Sequence, residues 1–112
     1  PKGYNLNENI TKGIEIINDQ EEAFKDADII YAKNWSSYDE YGKIIKTEKS
    51  WTIDKNKMNL TNNAIFMHCL PVRRNVVVKD EVLDSNRSVV IEQSKNRIYS
   101  TQIILKKIIN EI

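Results

Sequence analysis

Two short runs rich in β-branched and aromatic residues constrain the fold of this 112-residue chain most strongly. The run DIIYAKNW covers residues 28–35, and NAIFMHCLP covers residues 63–71, where Pro71 stops the extension. Both predict buried strands. A helix is predicted at 19–27, because Asp19 is a good N-cap and acidic residues follow it in the first turn. Strands that alternate with helices predict an α/β fold with a parallel sheet.

The rest of the chain predicts further elements of the same kind. Residues 36–52 follow neither the helical nor the strand period, so we expect an ordered functional loop there. The other predicted elements are a strand at 13–19, a short helix capped by Asp54, one or two helical turns at 78–85, a fourth strand at 88–93 and a long amphipathic helix at 96–112. Because no strand precedes residue 13, we expect a half-domain.

Charge, hydropathy and cysteine count exclude several classes of protein. The 17 basic and 16 acidic residues are scattered, unlike the one-sided basic surface of a nucleic-acid binder. No apolar run approaches the ~20 residues that span a bilayer. One Cys excludes an internal disulfide, and one Cys with one His excludes a Cys/His zinc site within the chain. A reducing cytoplasm is the expected compartment.

Polar residues follow the predicted strands, at the edge where ligands bind in open α/β sheets. They are Lys33, His68, Cys69, Arg73, Arg74 and Arg97. Several cations at one edge favour an anionic substrate, a carboxylate or a phosphate, held by arginine. Each residue also has a structural interpretation, as a buried thiol, a hydrogen-bonded histidine or a solvated cation. There is no glycine-rich turn for a dinucleotide, no P-loop and no nucleophile elbow. Taken alone, this pattern predicts an anion-binding α/β fragment.

The HCLP motif after an apolar strand, with NR downstream before an apolar helix, resembles the carbamoyltransferases that act on ornithine and its derivatives. The resemblance covers essentially the whole chain, including ADIIYAKNW and SKNRIYSTQIILKKI. It implies that residues 1–112 are the C-terminal part of the amino-acid-binding domain of a longer enzyme. The implied fold is a parallel-sheet three-layer sandwich that ends in a long helix. The carbamoyl-phosphate domain, with its STRTR-like motif, would lie outside this chain.

The resemblance assigns roles to the residues around HCLP. Cys69 and Leu70 present their backbone carbonyls to the carbamoyl amide, and the Leu70–Pro71 bond is cis. The Cys69 thiol lies near the attacking amine and is the usual candidate for proton acceptor. His68 lies beside the carbamoyl oxygen, and Arg97 contacts carbamoyl phosphate.

Departures from ordinary ornithine enzymes indicate a different branch of the family. The SMG signature that binds free ornithine is absent from residues 34–52, and HCLP is followed by VRRN. Both features resemble the branch that uses N-acetyl- or N-succinylornithine, in which Lys33 and Arg73 would contact the acylated substrate. Acylation removes the α-ammonium charge, so cationic partners are favoured. Acetyl-preferring members have a lysine where this chain has Val77, which favours succinyl slightly.

The implied reaction is attack by the substrate's δ-amine on carbamoyl phosphate, without metal or organic cofactor, in arginine biosynthesis. The proton acceptor stays open between Cys69, phosphate and water. The resemblance further implies a homotrimer, a knotted chain, and no activity for these residues alone, because the phosphate motif is missing. The alternatives are an ordinary ornithine carbamoyltransferase and a non-catalytic anion-binding module of the same fold.

Overall fold

Two short parallel strands lie at the centre of the structure, a computed structural model that describes residues 1, 4, 6–36 and 49–110. Strand β1 is Ile29–Ala32 and strand β2 is Ile65–His68. Ile29 pairs with Ile65, and Ala32 pairs with His68. Both strands lie within the runs that predicted them. Their parallel pairing, together with a long C-terminal helix, confirms the predicted α/β class.

Helices surround this sheet, and two of them begin at the predicted caps. The Asp19 carboxylate accepts hydrogen bonds from the N–H groups of Glu21 and Glu22, and Asp54 accepts one from the N–H of Lys57. The helices are α1 Glu8–Thr11, α2 Gln20–Phe24, α3 Lys55–Met58, α4 Asp80–Leu83 and α5 Val90–Asn110, with a 3₁₀ turn at Lys49–Trp51. No helix in the described ranges is long and apolar enough to cross a membrane.

The strand predicted at 13–19 is wrong. Residues 14–17 have no regular structure, and Ile14 and Ile16 are exposed. A strand needs a neighbouring edge for its N–H and C=O groups, and the sheet formed by the described residues contains only β1 and β2. The predicted loop at 36–52 falls largely on residues 37–48, which lie outside the described residues.

The fourth strand predicted at 88–93 is also wrong. Only Ser88 makes a strand-like bridge, to Phe66 of β2, and α5 begins at Val90. The helix predicted at 96–112 therefore starts earlier than expected. The carbonyl of Val89 already accepts the N–H of Gln93, which is a helical bond and ends the extended segment.

One face of the sheet is buried and the other is open. Ile30, Ala32, Phe66 and His68 alternate into the core. The remaining core residues are Phe24, Ile53, Met58, Ala64, Val77, Val78, Val82, Leu83 and Val90. Each fully buried large apolar side chain contributes about 1.5–3 kcal/mol. This core packs against one face of β1 and β2 and fixes the positions of their carboxyl ends. The pocket described below lies at the carboxyl end of β2.

Candidate functional site

A pocket of about 250 Å³ lies at the carboxyl end of β2. Four residues predicted for the carbamoyl-phosphate site line it together: His68, Cys69, Leu70 and Arg97. Tyr31, Gln93 and Ser94 complete the lining. The structure thus brings the HCLP segment and the arginine of NR to one cavity, although 25 residues or more separate them in sequence.

The backbone turns sharply after β2. The N–H of Leu70 donates to the carbonyl of His68 at 3.0 Å, and the Leu70–Pro71 bond is cis, as expected. Cys69 is a free, half-buried cysteine. Cys69 and Leu70 both line the pocket, and a backbone carbonyl is a hydrogen-bond acceptor that suits a ligand amide.

Helix α5 supplies the other wall. Val90, Gln93, Ser94 and Arg97 follow a helical repeat, so they share one face. Val90 packs in the core, whereas the later three residues pass the end of the sheet and line the pocket. Arg97 was expected beyond a fourth strand. It lies on the helix instead, because α5 begins at Val90.

The His68 side chain points into the core and is only 1% exposed. Neither ring nitrogen has a hydrogen-bond partner among the described residues. Burial lowers the pKa of the imidazole from its usual 6.5. Burial therefore favours the uncharged form of the ring.

The loops after β1 and β2 are tied together by Asn34. Its Nδ2 donates to the carbonyl of Pro71 at 2.9 Å. The sequence argument missed Asn34, and it also missed Tyr31, Gln93 and Ser94. Gln93 and Ser94 lie four and three residues before Arg97, so helical spacing would have identified them had the helix been extended to its true start.

The two cations predicted for the acylated substrate are not in this pocket. Lys33 lines a separate cavity of about 290 Å³, together with Trp35 and Trp51. Arg73 is exposed, and its side chain has no hydrogen bond or ion pair within the described part of the chain. Both follow a strand end, as expected, but the structure does not join them to Arg97 in one cavity.

Arg74 differs from its neighbour Arg73. Its guanidinium bonds Asp80 at 2.7 Å and both oxygens of Asp84 at 2.6 and 2.8 Å. These bonds hold the pKa of both carboxylates below their usual values. Arg74 therefore stabilises α4 through its two carboxylate partners.

No group of three His, Cys, Asp or Glu side chains suited to a metal ion occurs among residues that the structure describes.

Comparison of the chain with protein-family profiles identifies its family. The profile of the aspartate/ornithine carbamoyltransferase family, Asp/Orn-binding domain, matches residues 3–108. The chain belongs to this family. The resemblance read from HCLP and NR is thereby confirmed, and the pocket corresponds to the segments that carried it.

Individual members of the carbamoyltransferase family differ in the substrate that they are named for. The N-succinylornithine carbamoyltransferase of Bacteroides fragilis (strain 638R) is 45% identical over 100% of this chain and 36% of that protein. The catabolic ornithine carbamoyltransferase of Thermoplasma volcanium is 41% identical over 85% of this chain and 32% of that protein. A crystal structure of acetylornithine transcarbamylase complexed with acetylcitrulline has a TM-score of 0.84 at 30% identity, covering 94% of this chain and 36% of that one. This chain spans about a third of the length of these carbamoyltransferases.

Proposed function

We propose that these residues form part of the amino-acid-binding domain of an N-acylornithine carbamoyltransferase. The enzyme would transfer the carbamoyl group of carbamoyl phosphate to the δ-amine of an N-acylornithine, giving N-acylcitrulline and phosphate, in arginine biosynthesis. One observation carries the proposal. Cys69, Leu70 and Arg97 line a single pocket.

This pocket has the two kinds of group that carbamoyl phosphate needs. Its amide is a hydrogen-bond donor, so the backbone carbonyls of Cys69 and Leu70 suit it. Its phosphate and carbonyl oxygens are acceptors, and the guanidinium of Arg97 donates to such oxygens with a charge-assisted bond. Donors on one wall and acceptors on the other would orient the carbamoyl carbon for attack.

In the proposed reaction the neutral δ-amine forms a C–N bond to the carbamoyl carbon, and the C–O bond to phosphate breaks. The negative charge that develops on the carbonyl oxygen is stabilised by Arg97, a role worth about 3–4 kcal/mol for one well-placed donor. The amine must lose a proton. The sulfur of Cys69 is the proposed acceptor, with the departing phosphate or water as the alternatives. His68 contributes to the wall of the same pocket, but its ring is buried in the core, so we propose no direct contact between the ring and the carbamoyl oxygen.

Carbamoyl phosphate is already activated, because phosphate is a good leaving group. The proposed reaction therefore uses no metal or organic cofactor. Holding the two substrates in reactive geometry can supply up to about 7–11 kcal/mol. Most of the rate acceleration would then come from the residues that position the substrates in the pocket rather than from a catalytic ion.

Lys33 and Arg73 are proposed to bind the acylated amino acid. Both follow strand ends, and the described residues give Arg73 no competing partner. An N-acylornithine lacks the α-ammonium group, so it carries more negative charge than ornithine, and a succinyl group adds a further carboxylate. Two cations favour such a substrate. The 45% identity to an N-succinylornithine carbamoyltransferase supports succinyl as the preferred acyl group.

The proposal includes a larger assembly. Because the chain spans about a third of its relatives, we propose that a carbamoyl-phosphate domain, in the same protein, supplies the residues that hold the phosphate. We further propose a cytoplasmic homotrimer with a knotted chain. Light scattering of the full-length protein tests the trimer, and a mass that corresponds to a monomer would contradict it.

Substrate preference is the test of the proposed function. The full-length protein is assayed for ureido product with carbamoyl phosphate and, in turn, N-succinylornithine, N-acetylornithine and ornithine. We expect kcat/KM to be highest for N-succinylornithine and lowest for ornithine. Binding of carbamoyl phosphate without turnover of any amine would instead support the non-catalytic module.

Ordinary ornithine carbamoyltransferase is the second candidate, because a relative with that name is 41% identical to this chain. The same assay distinguishes the two. A higher kcat/KM for ornithine than for both acylated substrates would establish the rival. The roles proposed for Lys33 and Arg73 would then be abandoned, whereas those of Cys69, Leu70 and Arg97 would stand.

A further inference from the structure

The outer edge of β2 is paired with an extended segment that ends abruptly. The N–H of Phe66 donates to the carbonyl of Arg87 at 2.8 Å, and the N–H of Val89 donates to the carbonyl of Phe66 at 2.9 Å. In a regular parallel ladder the next bond would run from the N–H of His68 to the carbonyl of Val89.

That carbonyl has another partner. Because α5 begins at Val90, the carbonyl of Val89 accepts the N–H of Gln93 at 2.9 Å. The N–H of His68 donates instead to the side-chain Oε1 of Gln93, at 3.0 Å. The Gln93 side chain thus replaces the backbone carbonyl that a longer strand would have supplied.

This bond joins the two walls of the pocket. Its donor belongs to the residue immediately before Cys69, and its acceptor lies one helical turn before Arg97 on the same face of α5. The bond of Gln93 therefore helps to set the position of Arg97 relative to Cys69 and Leu70, next to the backbone bonds of Phe66 and the packing of Val90. A shift of about 1 Å between groups that bind one substrate can cost 100-fold in rate.

We propose that Gln93 is a positioning residue for carbamoyl phosphate, holding the HCLP segment against α5 at the separation that this ligand requires. The inference rests on the proposed carbamoyl transfer. Gln93 acts through His68, Cys69 and Leu70, and its side-chain oxygen is the group that matters.

Three variants of the full-length protein test this role. Gln93→Met has a similar size and removes the acceptor, whereas Gln93→Glu keeps an oxygen at the same position. Gln102→Met makes the same change on an exposed turn of α5 and is the matched control. Two quantities are measured: hydrogen exchange of the His68 amide, and KM for each substrate.

We expect Gln93→Met to speed exchange of the His68 amide and to raise KM for carbamoyl phosphate roughly 10- to 100-fold. KM for the N-acylornithine should change much less, because that substrate is proposed to bind Lys33 and Arg73. Gln93→Glu should leave the His68 amide protected, and Gln102→Met should change neither quantity. If the role of Gln93 were merely structural, Gln93→Met would lower the thermal stability without raising KM for carbamoyl phosphate more than KM for the N-acylornithine.

The proposal is overturned if Gln93→Met leaves KM for carbamoyl phosphate unchanged, or if the His68 amide stays as protected as in the parent. Should Gln93→Met fail to fold, Gln93→Asn can replace it, because its side chain is one methylene group shorter and moves the oxygen away from His68. It should change the His68 amide exchange and KM for carbamoyl phosphate in the same direction, but by less. A parent protein without carbamoyltransferase activity contradicts the proposed function instead. In that case hydrogen exchange still tests the bond between Gln93 and His68.

Discussion

The side-chain nitrogen of Asn34 lies 2.9 Å from the carbonyl oxygen of Pro71, across 37 positions of sequence. The bond joins the loop that carries Lys33 to the loop that carries Arg73. These are the two cations proposed to bind the acylated substrate. Their separation is therefore set partly by a neutral side chain that contacts no substrate in this proposal.

Replacing Asn34 with Ala removes this link. We expect KM for the N-acylornithine to rise about 2- to 10-fold, the equivalent of one neutral hydrogen bond. KM for carbamoyl phosphate should not change, because Asn34 does not line the pocket that contains Cys69, Leu70 and Arg97. The matched control is Asn62→Ala, which removes a side-chain bond of 2.8 Å to Asp28 at the opposite end of β1. Equal effects of the two variants in steady-state kinetics would contradict the account.

The adjacent arginines should respond differently to substitution. Arg73→Met removes a cation without a partner in the described residues, so we expect KM for the N-acylornithine to rise about 10- to 100-fold, as for a lost charged hydrogen bond. Arg74→Met breaks the bonds to Asp80 and Asp84 and should lower the melting temperature instead. Kinetics and thermal denaturation of both variants check this. A larger rise in KM for Arg74→Met than for Arg73→Met would reverse the assignment.

The dependence of stability on pH should reveal the burial of His68. Its pKa is lowered in the folded state, whereas an exposed histidine in the unfolded chain titrates near 6.5. As pH falls, the histidine of the unfolded state therefore takes up a proton at a higher pH than the buried histidine of the folded state. The free energy of unfolding decreases as pH falls below about 6.5. Urea denaturation of the full-length protein between pH 8 and 5 measures this loss.

The matched variant is His68→Gln, which cannot titrate in this range. We expect its unfolding free energy to depend less steeply on pH than that of the parent below about pH 6.5. Parallel curves for the two proteins would show that the pKa of His68 is the same in the folded and unfolded states.

Cys69 can be tested without disturbing its backbone. Cys69→Ser keeps the carbonyl group and replaces the thiol with a hydroxyl, which does not ionise at neutral pH. If the sulfur of Cys69 accepts the proton, kcat should fall about 100-fold or more while binding of carbamoyl phosphate is retained. Calorimetric titration and turnover measure the two effects separately. An unchanged kcat would transfer the role to phosphate or water.

The sequence predicted the elements whose signals are local. Asp19 and Asp54 cap helices because their carboxylates reach the next few N–H groups, and that bond needs no distant partner. The strands β1 and β2 are short, β-branched and aromatic, and one face of each is buried. The HCLP and NR motifs also indicated residues that the structure brings into one pocket.

The errors concern signals that depend on the rest of the fold. The apolar residues Ile14 and Ile16 predict a strand, but a strand forms only where a neighbouring edge accepts its hydrogen bonds. The run at 88–93 contains Val89, Val90 and Ile91, whose β propensity favours a strand. Helix α5 nevertheless begins inside it, because tertiary packing overrides a weak local preference. Gln93 was missed for the same reason, since its role exists only once the strand has ended.

The central claim is that the carbonyls of Cys69 and Leu70 and the guanidinium of Arg97 bind one molecule of carbamoyl phosphate. A crystal structure of the full-length protein with carbamoyl phosphate tests it most directly. We expect the carbamoyl nitrogen about 2.7–3.2 Å from both carbonyl oxygens, with Arg97 bonded to an oxygen of the same ligand. A ligand bound elsewhere, or one whose amide faces away from both carbonyls, would contradict the account.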